Sequence, residues 1–392
     1  MCPVALVLLL GLATLTSCGG GHSANGDQAA GRRSPGAPGE LLTADVVFAA
    51  PAGIRAWVVT YRSRSAGNGT VEVSGIVLAP PPTVAVPAGG RKVVSFAHGT
   101  TGIADICAPS RSTPPLSSAA WTFPLVRAGY VVTLTDYAGL GTPGEHAIYV
   151  SGPEGRAVLD AARAARALTA TGAGRDVVAW GYSQGGQAVL AAGAQAVTYA
   201  PDLRVRGIVA TAPLADLPAS LTTLQGNADG VGYLLLAMIG LTDTDPTIDL
   251  TRSLTQTGRR LLAIARDKCA IDVMTASVGT SISTAFTSDP LADPRFMSGF
   301  GRQRDEILRR MAPTLLLQGG RDIVIRPSVT DRVDLRLCGQ GTPVDYRRYP
   351  SADHGTILAA SMNDLMSWMA GRFAANPPPA TTNCARTLDI RH

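Results

Sequence analysis

Three side chains that lie far apart in the chain have the types needed for acyl transfer: Ser183, Asp322 and His354. A serine hydroxyl is a weak nucleophile until an imidazole takes its proton, and a carboxylate keeps that imidazole in the working tautomer. Ser183 sits in Gly181-Tyr182-Ser183-Gln184-Gly185-Gly186. An apolar run at 177–180 precedes it and an alanine-rich helical pattern follows to residue 196, so the segment reads as strand, tight turn, helix. Such a turn strains the serine backbone and lifts the hydroxyl above the sheet, and side chains at 181 and 185 would collide with the flanking strand and helix. The helix start then offers the Gln184 N–H and its dipole to a developing negative charge. A Gly-x-Ser-x-Gly string also occurs in flexible turns; here the flanking elements and the partners further along favour the nucleophile.

Asp322 follows an apolar run at 313–317 through Gln318-Gly319-Gly320-Arg321, and His354 follows a β-type run at 344–349 through Ser351-Ala352-Asp353. Each of the three residues therefore trails a strand, which gathers them at one end of a sheet. Asp331, Asp345 and Asp353 compete as the acid, but only Asp322 follows its strand by a short glycine turn, and Asp353 is a loop neighbour of His354 whose side chain points away. Of the other histidines, His22 and His392 are near the ends, and His98 and His146 precede the nucleophile. The strand at 91–97 ends in His98-Gly99-Thr100-Thr101-Gly102, a turn of small residues that lets the Thr100 N–H face the same site as a second oxyanion donor.

The remaining elements are those needed to position these groups. Residues 54–61 and 71–78 read as a hairpin, 80–90 as a loop, 114–128 as a helix, 130–135 as a strand, 156–169 as a helix with Arg163 and Arg166 on a solvated face, 206–211 as a buried strand, and 356–373 as a final helix. Strands alternating with helices give an α/β chain with a mainly parallel sheet. Residues 214–300 break that rhythm. Their apolar run at 233–241 fits a mainly helical cap, either as plain cap core or as the lining of an acyl pocket.

The net charge of +5 is small for 392 residues, and no basic run exceeds two, which excludes a nucleic-acid footprint. The N-terminus carries an apolar stretch at 3–15 too short to span a bilayer, then Leu15-Thr16-Ser17-Cys18. That order resembles a bacterial lipobox, with Cys18 the lipidated residue, although residues 1–3 lack the usual basic charge. Export favours disulfides, and Cys107, Cys269, Cys338 and Cys384 allow three connectivities; their spacing fits neither a metal site nor a redox motif.

From about residue 49 to 375 the chain resembles the secretory lipases of the fungal lipase A type, which include actinobacterial members. The resemblance rests on 98–102 with Cys107-Ala-Pro-Ser, on Asp136-Tyr-Ala-Gly-Leu-Gly-Thr-Pro-Gly144, on 181–186, on Tyr199-Ala-Pro201, on Gly319-Gly-Arg-Asp322 and on Asp353-His-Gly355. It implies an α/β-hydrolase core with a helical cap inserted before the acid, and lipase or esterase activity with no cofactor. It also implies the pairs Cys107–Cys269 and Cys338–Cys384.

The expected organisation is a signal peptide with lipobox at 1–18, a flexible Gly/Ser/Ala/Pro-rich tether at 19–40, a first core segment at 41–213, the cap at 214–300, and a second core segment with the tail at 301–392. The expected function is hydrolysis of lipid or other acyl esters by a monomeric, exported protein that touches the membrane through its N-terminal lipid, simple secretion being the other route. An acyltransferase with the same three residues, or a catalytically silent ligand-binding lipoprotein, are the alternatives.

Overall fold

The computed structural model describes residues 36–245 and 247–384. Nine strands form one sheet: β1 (Leu41–Val46), β2 (Arg55–Arg64), β3 (Thr70–Ala79), β4 (Arg91–Ala97), β5 (Val131–Ala138), β6 (Ala173–Tyr182), β7 (Arg204–Thr211), β8 (Thr314–Gly319) and β9 (Val344–Tyr349). Their order is β1-β2-β3-β5-β4-β6-β7-β8-β9. The first three strands and the β3–β5 pair are antiparallel, and β5-β4-β6-β7-β8-β9 run parallel. Central strands such as β4, β5 and β8 are buried on both faces and read as continuous apolar runs, as parallel strands covered by helices must.

The helices are α1 (Phe123–Arg127), α2 (Ser151–Ala167), α3 (Gln184–Tyr199), α4 (Leu217–Leu224), α5 (Gly230–Thr244), α6 (Leu250–Ser253), α7 (Gln256–Asp267), α8 (Ala270–Ser277), α9 (Ile282–Ala285), α10 (Pro294–Ile307), α11 (Pro327–Gly339) and α12 (Ile357–Phe373). One face of the sheet packs against α2 and α3, with Ala157, Ala161, Ala188 and Val189 in that core; the other packs against α1 and α12 around Phe96, Trp180 and Leu317. Helices α4 to α10 all lie between β7 and β8 and share a separate apolar cluster centred on α5, with Leu235, Leu236, Met238, Phe286 and Phe300. Two disulfides are formed: Cys107–Cys269 joins the segment after β4 to the helices of this layer, and Cys338–Cys384 pins the C-terminal tail to α11. Among the described residues no helix is long and apolar enough to cross a membrane. Cys18 and most of the tether lie outside the described residues.

Two local expectations need correction, and one strand was not foreseen. Residues 114–128 are not one helix: a 3-10 turn at Ser117–Thr122 leads into the five-residue α1. Strand β1 is an additional, half-exposed edge strand without an alternating apolar pattern. Arg163 is not on a solvated face. It is 4% exposed, bonded to Asp160 at 2.8 Å and to Asp202, while Asp160 also accepts from Ser63 and Tyr199 at 2.8 and 2.7 Å. Arg166 is half-buried and reaches the same Asp202 at 3.4 Å. Burying a charge is tolerated only when it is paired. Replacing Arg163 with alanine strands Asp160 and is expected to cost about 3–5 kcal/mol, measurable as a lower midpoint in urea unfolding.

Candidate active site

Strand β6 ends at Tyr182 and α3 begins at Gln184, which leaves Ser183 alone in the turn with φ 56° and ψ −116°. The turn is pinned to β7 on both sides: the Ser183 N–H donates to the Thr211 carbonyl at 2.9 Å, and the Leu214 N–H donates to the Ser183 carbonyl at 3.0 Å. Glycine is required on either side by close approach. A Cβ at Gly181 would lie 1.9 Å from the Gly185 carbonyl oxygen, and one at Gly185 would lie 1.9 Å from that of Ala97. The strained serine is therefore held by its surroundings rather than by its own preference.

Asp322 and His354 occupy the loops after β8 and β9. His354 Nε2 lies 3.1 Å from Ser183 Oγ, and its Nδ1 lies 2.7 Å from Asp322 Oδ2. Asp322 is buried, and its second oxygen accepts the Val324 and Ile325 N–H groups at 2.9 and 2.8 Å. Gln318 Nε2 adds a 3.3 Å contact to Oδ2. The imidazole is steadied from the other side by Tyr182, whose hydroxyl donates to the His354 carbonyl at 2.8 Å and whose ring centroid is 5.0 Å from the His354 ring. The competing acids are engaged elsewhere: Asp331 with Arg348 and Tyr346, Asp345 with Arg347, and Asp353 with the N–H and hydroxyl of Thr356. Chemically, the three groups form a chain along which a proton can leave Ser183 for His354 while Asp322 carries the compensating charge.

The turn after β4 lies against Ser183: a Cβ on Gly99 would sit 3.5 Å from Ser183 Cβ. Thr100, next in that turn, bonds through Oγ1 with the Tyr149 hydroxyl at 2.9 Å. The Gln184 N–H is the first of α3 and has no intrahelical acceptor. The helical layer over the sheet reaches the same place twice. The Ala270 N–H at the start of α8 donates to the Thr101 carbonyl at 2.8 Å, next to the Cys107–Cys269 bridge. Tyr233 of α5 sits within electrostatic reach of Asp322; burial first, then Asp229 and Asp322, push its hydroxyl up to about 12.

Residues 118–381 match the model of the secretory lipase family. The chain belongs to the secretory lipase family. It is 25% identical over 370 residues to a secreted triacylglycerol lipase of Malassezia globosa, covering 86% of this chain and 76% of that one. It is also 26% identical over 260 residues to a probable inactive lipase of Mycobacterium tuberculosis, covering 64% of this chain and 56% of the relative, so the match spans little more than half of that protein. Among solved structures, Candida antarctica lipase A in its closed state superposes with a TM-score of 0.74 at 20% identity, covering 88% of this chain and 84% of that one. The rice cell wall degrading esterase of Xanthomonas oryzae superposes with a TM-score of 0.68 at 19% identity, covering 84% and 99%. The fold shared with these structures is the α/β-hydrolase fold.

Behind Ser183 of this secretory lipase family member lies a buried polar group to which the sequence reading gave no role. His146 and Glu154 are 2% and 1% exposed, and both touch the side chain of Gln184, at 3.3 Å and 2.6 Å. Burial holds the His146 imidazole down to about 3 and the neighbouring His98 down to about 4, so both rings are neutral at ordinary pH. Burial pushes the Glu154 carboxyl up to about 8, against the hydrogen bonds from Gln184 and the Tyr149 N–H. The sequence reading began this helix at residue 156 and so left Glu154 outside it, whereas α2 starts at Ser151 and carries Glu154 in its first turn.

Proposed function

We propose that this protein is a serine ester hydrolase working through an acyl-enzyme on Ser183. The observation that carries the reading is the continuous contact from Ser183 Oγ through the His354 ring to Asp322, at 3.1 and 2.7 Å. Ser183 Oγ attacks the ester carbonyl while His354 Nε2 accepts its proton. The tetrahedral oxyanion is received by the N–H groups of Thr100 and Gln184, each worth on the order of 3 kcal/mol to the transition state. His354 then protonates the departing alkoxide, and the alcohol leaves. A water molecule loses its proton to His354, attacks the acyl carbonyl, and Ser183 is regenerated as the acid departs. Asp322 holds the His354 ring in place and stabilises its positive charge in each step where the ring carries the extra proton.

The substrate class we infer is acyl esters with an apolar acyl group. Family membership supports it, as does the apolar helix α5 beside the triad, whose buried Leu234, Leu235 and Met238 accompany Tyr233. A fluorophosphonate is expected to label the wild-type chain at Ser183 alone and to abolish turnover of short p-nitrophenyl esters; labelling elsewhere, or none on folded protein, overturns the reading. We further propose export with lipid attachment at Cys18, on the strength of the lipobox-like Leu15-Thr16-Ser17-Cys18. Mass spectrometry of the mature N-terminus is expected to find diacylglyceryl on Cys18, and an unmodified end cut elsewhere contradicts it.

A further inference from the structure

One residue ties together the two turns expected to receive the oxyanion. Tyr149 is 2% exposed and holds a left-handed backbone, with φ 62°. Its hydroxyl bonds with Thr100 Oγ1 at 2.9 Å, and its N–H donates to Glu154 Oε1 at 2.9 Å. That same carboxyl oxygen accepts the Gln184 side-chain amide at 2.6 Å. The Tyr149 carbonyl accepts from Gln187 of α3 at 2.8 Å, so the segment grips the first turn of that helix at two points. Helix α2 is brought close enough for this by Gly155, where a Cβ would meet the Ala192 backbone nitrogen at 2.6 Å. A non-glycine residue held at positive φ persists only where its surroundings enforce it, and such positions concentrate at functional sites. The ester mechanism above uses neither Tyr149 nor Glu154.

We propose that Tyr149 and Glu154 are positioning residues that hold Thr100 and Gln184 at a fixed separation around the reacting carbonyl, and that Glu154 must be the neutral acid to do so. This rests on the acyl-enzyme reading. The physical ground is charge. A carboxylate beneath donors aimed at a developing oxyanion repels that charge, whereas a neutral carboxyl orients the amide without opposing it. The groups around Glu154 are uncharged: Gln184 and Gln187 on α3, the low-titrating His146 and His98, and Tyr137 and Tyr149, whose hydroxyls burial raises. Oε2 of Glu154 is buried without a partner, an arrangement an acid bears more easily than a carboxylate. With its proton held up to about pH 8, the working form is present below that value and lost as pH rises through it.

The test follows hydrolysis of a short acyl ester by pH-stat from pH 6 to 10, with fluorophosphonate labelling of Ser183 in parallel, for wild type, Glu154→Gln, Glu154→Ala and Tyr149→Phe. Wild-type kcat is expected to fall about tenfold between pH 7 and 9, as the titration of one group near 8 requires. Glu154→Gln, which mimics the neutral acid, restores turnover relative to Glu154→Ala and lacks the alkaline fall. Glu154→Ala and Tyr149→Phe lower kcat about 10–100-fold, with KM within about twofold, because they disturb transition-state donors rather than ground-state binding. If the alanine variant does not fold, the glutamine and phenylalanine variants each delete less and still decide. Wild-type kcat in Tyr149→Phe, or an unchanged alkaline fall in Glu154→Gln, overturns the proposal while Ser183 labelling leaves the acyl-enzyme intact. Absence of that labelling in wild type overturns the acyl-enzyme reading itself.

Discussion

Replacing Ser183 with alanine is expected to lower kcat on short acyl esters by about 10⁶-fold, the scale seen when the nucleophile of a comparable unit is removed. The loss is chemical rather than structural. The backbone bonds that hold the turn, from the Ser183 N–H to Thr211 and from Leu214 to the Ser183 carbonyl, do not involve the hydroxyl. Alanine occupies φ 56° at about the same cost as serine, so stability should move by no more than about 1 kcal/mol. Circular dichroism and the urea midpoint separate the two effects: an inactive variant with an unchanged midpoint fits, and an active one refutes the assignment. Adding His354→Ala to Ser183→Ala should cost little more, because the two side chains act as one unit.

The second large effect is at Asp322. Its substitution by asparagine is expected to reduce kcat by about 10⁴-fold, through the wrong imidazole tautomer. The geometry leaves asparagine no good orientation. Both carboxyl oxygens accept, one from the Val324 and Ile325 N–H groups and the other from His354 Nδ1. Asparagine has a single accepting oxygen. If it faces the backbone, its NH₂ meets His354 Nδ1 and forces the proton onto Nε2, where the base must be free. If it faces His354, two buried backbone donors meet another donor and the loop after β8 loosens. Activity therefore falls in either orientation, and the second also lowers the urea midpoint. Assaying activity and stability on the same preparation tells which orientation is taken; near-wild-type kcat would remove Asp322 from the mechanism.

The legible part of this molecule was the part written in local pattern. Strands at 91–97 and 344–349 were read to the residue: the first carries an apolar run from Val93 that stops at a glycine turn, and the second holds the β-favouring Val344, Tyr346 and Tyr349 just before Pro350. The chain order of Ser183, Asp322 and His354, each trailing a strand, gathers all three at one end of the sheet, where the side chains come within hydrogen-bond distance. What escaped was decided by partners distant in sequence. Arg163 looked like a solvated position because nothing near it in the chain shows Asp202, 39 residues on, closing over it. Glu154 fell outside the helix read at 156–169, and it is the close crossing at Gly155 that carries it to Gln184. Strand β1 has no periodicity of its own and is set by pairing with β2, from Leu41 opposite Tyr61 to Val46 opposite Trp57. The helix read at 114–128 failed because a left-handed Leu116 turns the chain at its start and a 3-10 turn follows.

The central claim is that the acyl group passes through Ser183, and rapid mixing with a p-nitrophenyl ester followed by acid quench tests it most directly. The account predicts a burst of p-nitrophenol approaching one equivalent per chain, with the acyl mass found on the peptide carrying Ser183 and absent from Ser183→Ala. Steady turnover with no burst and no acyl adduct on that peptide, under conditions where deacylation is slowed, would contradict it.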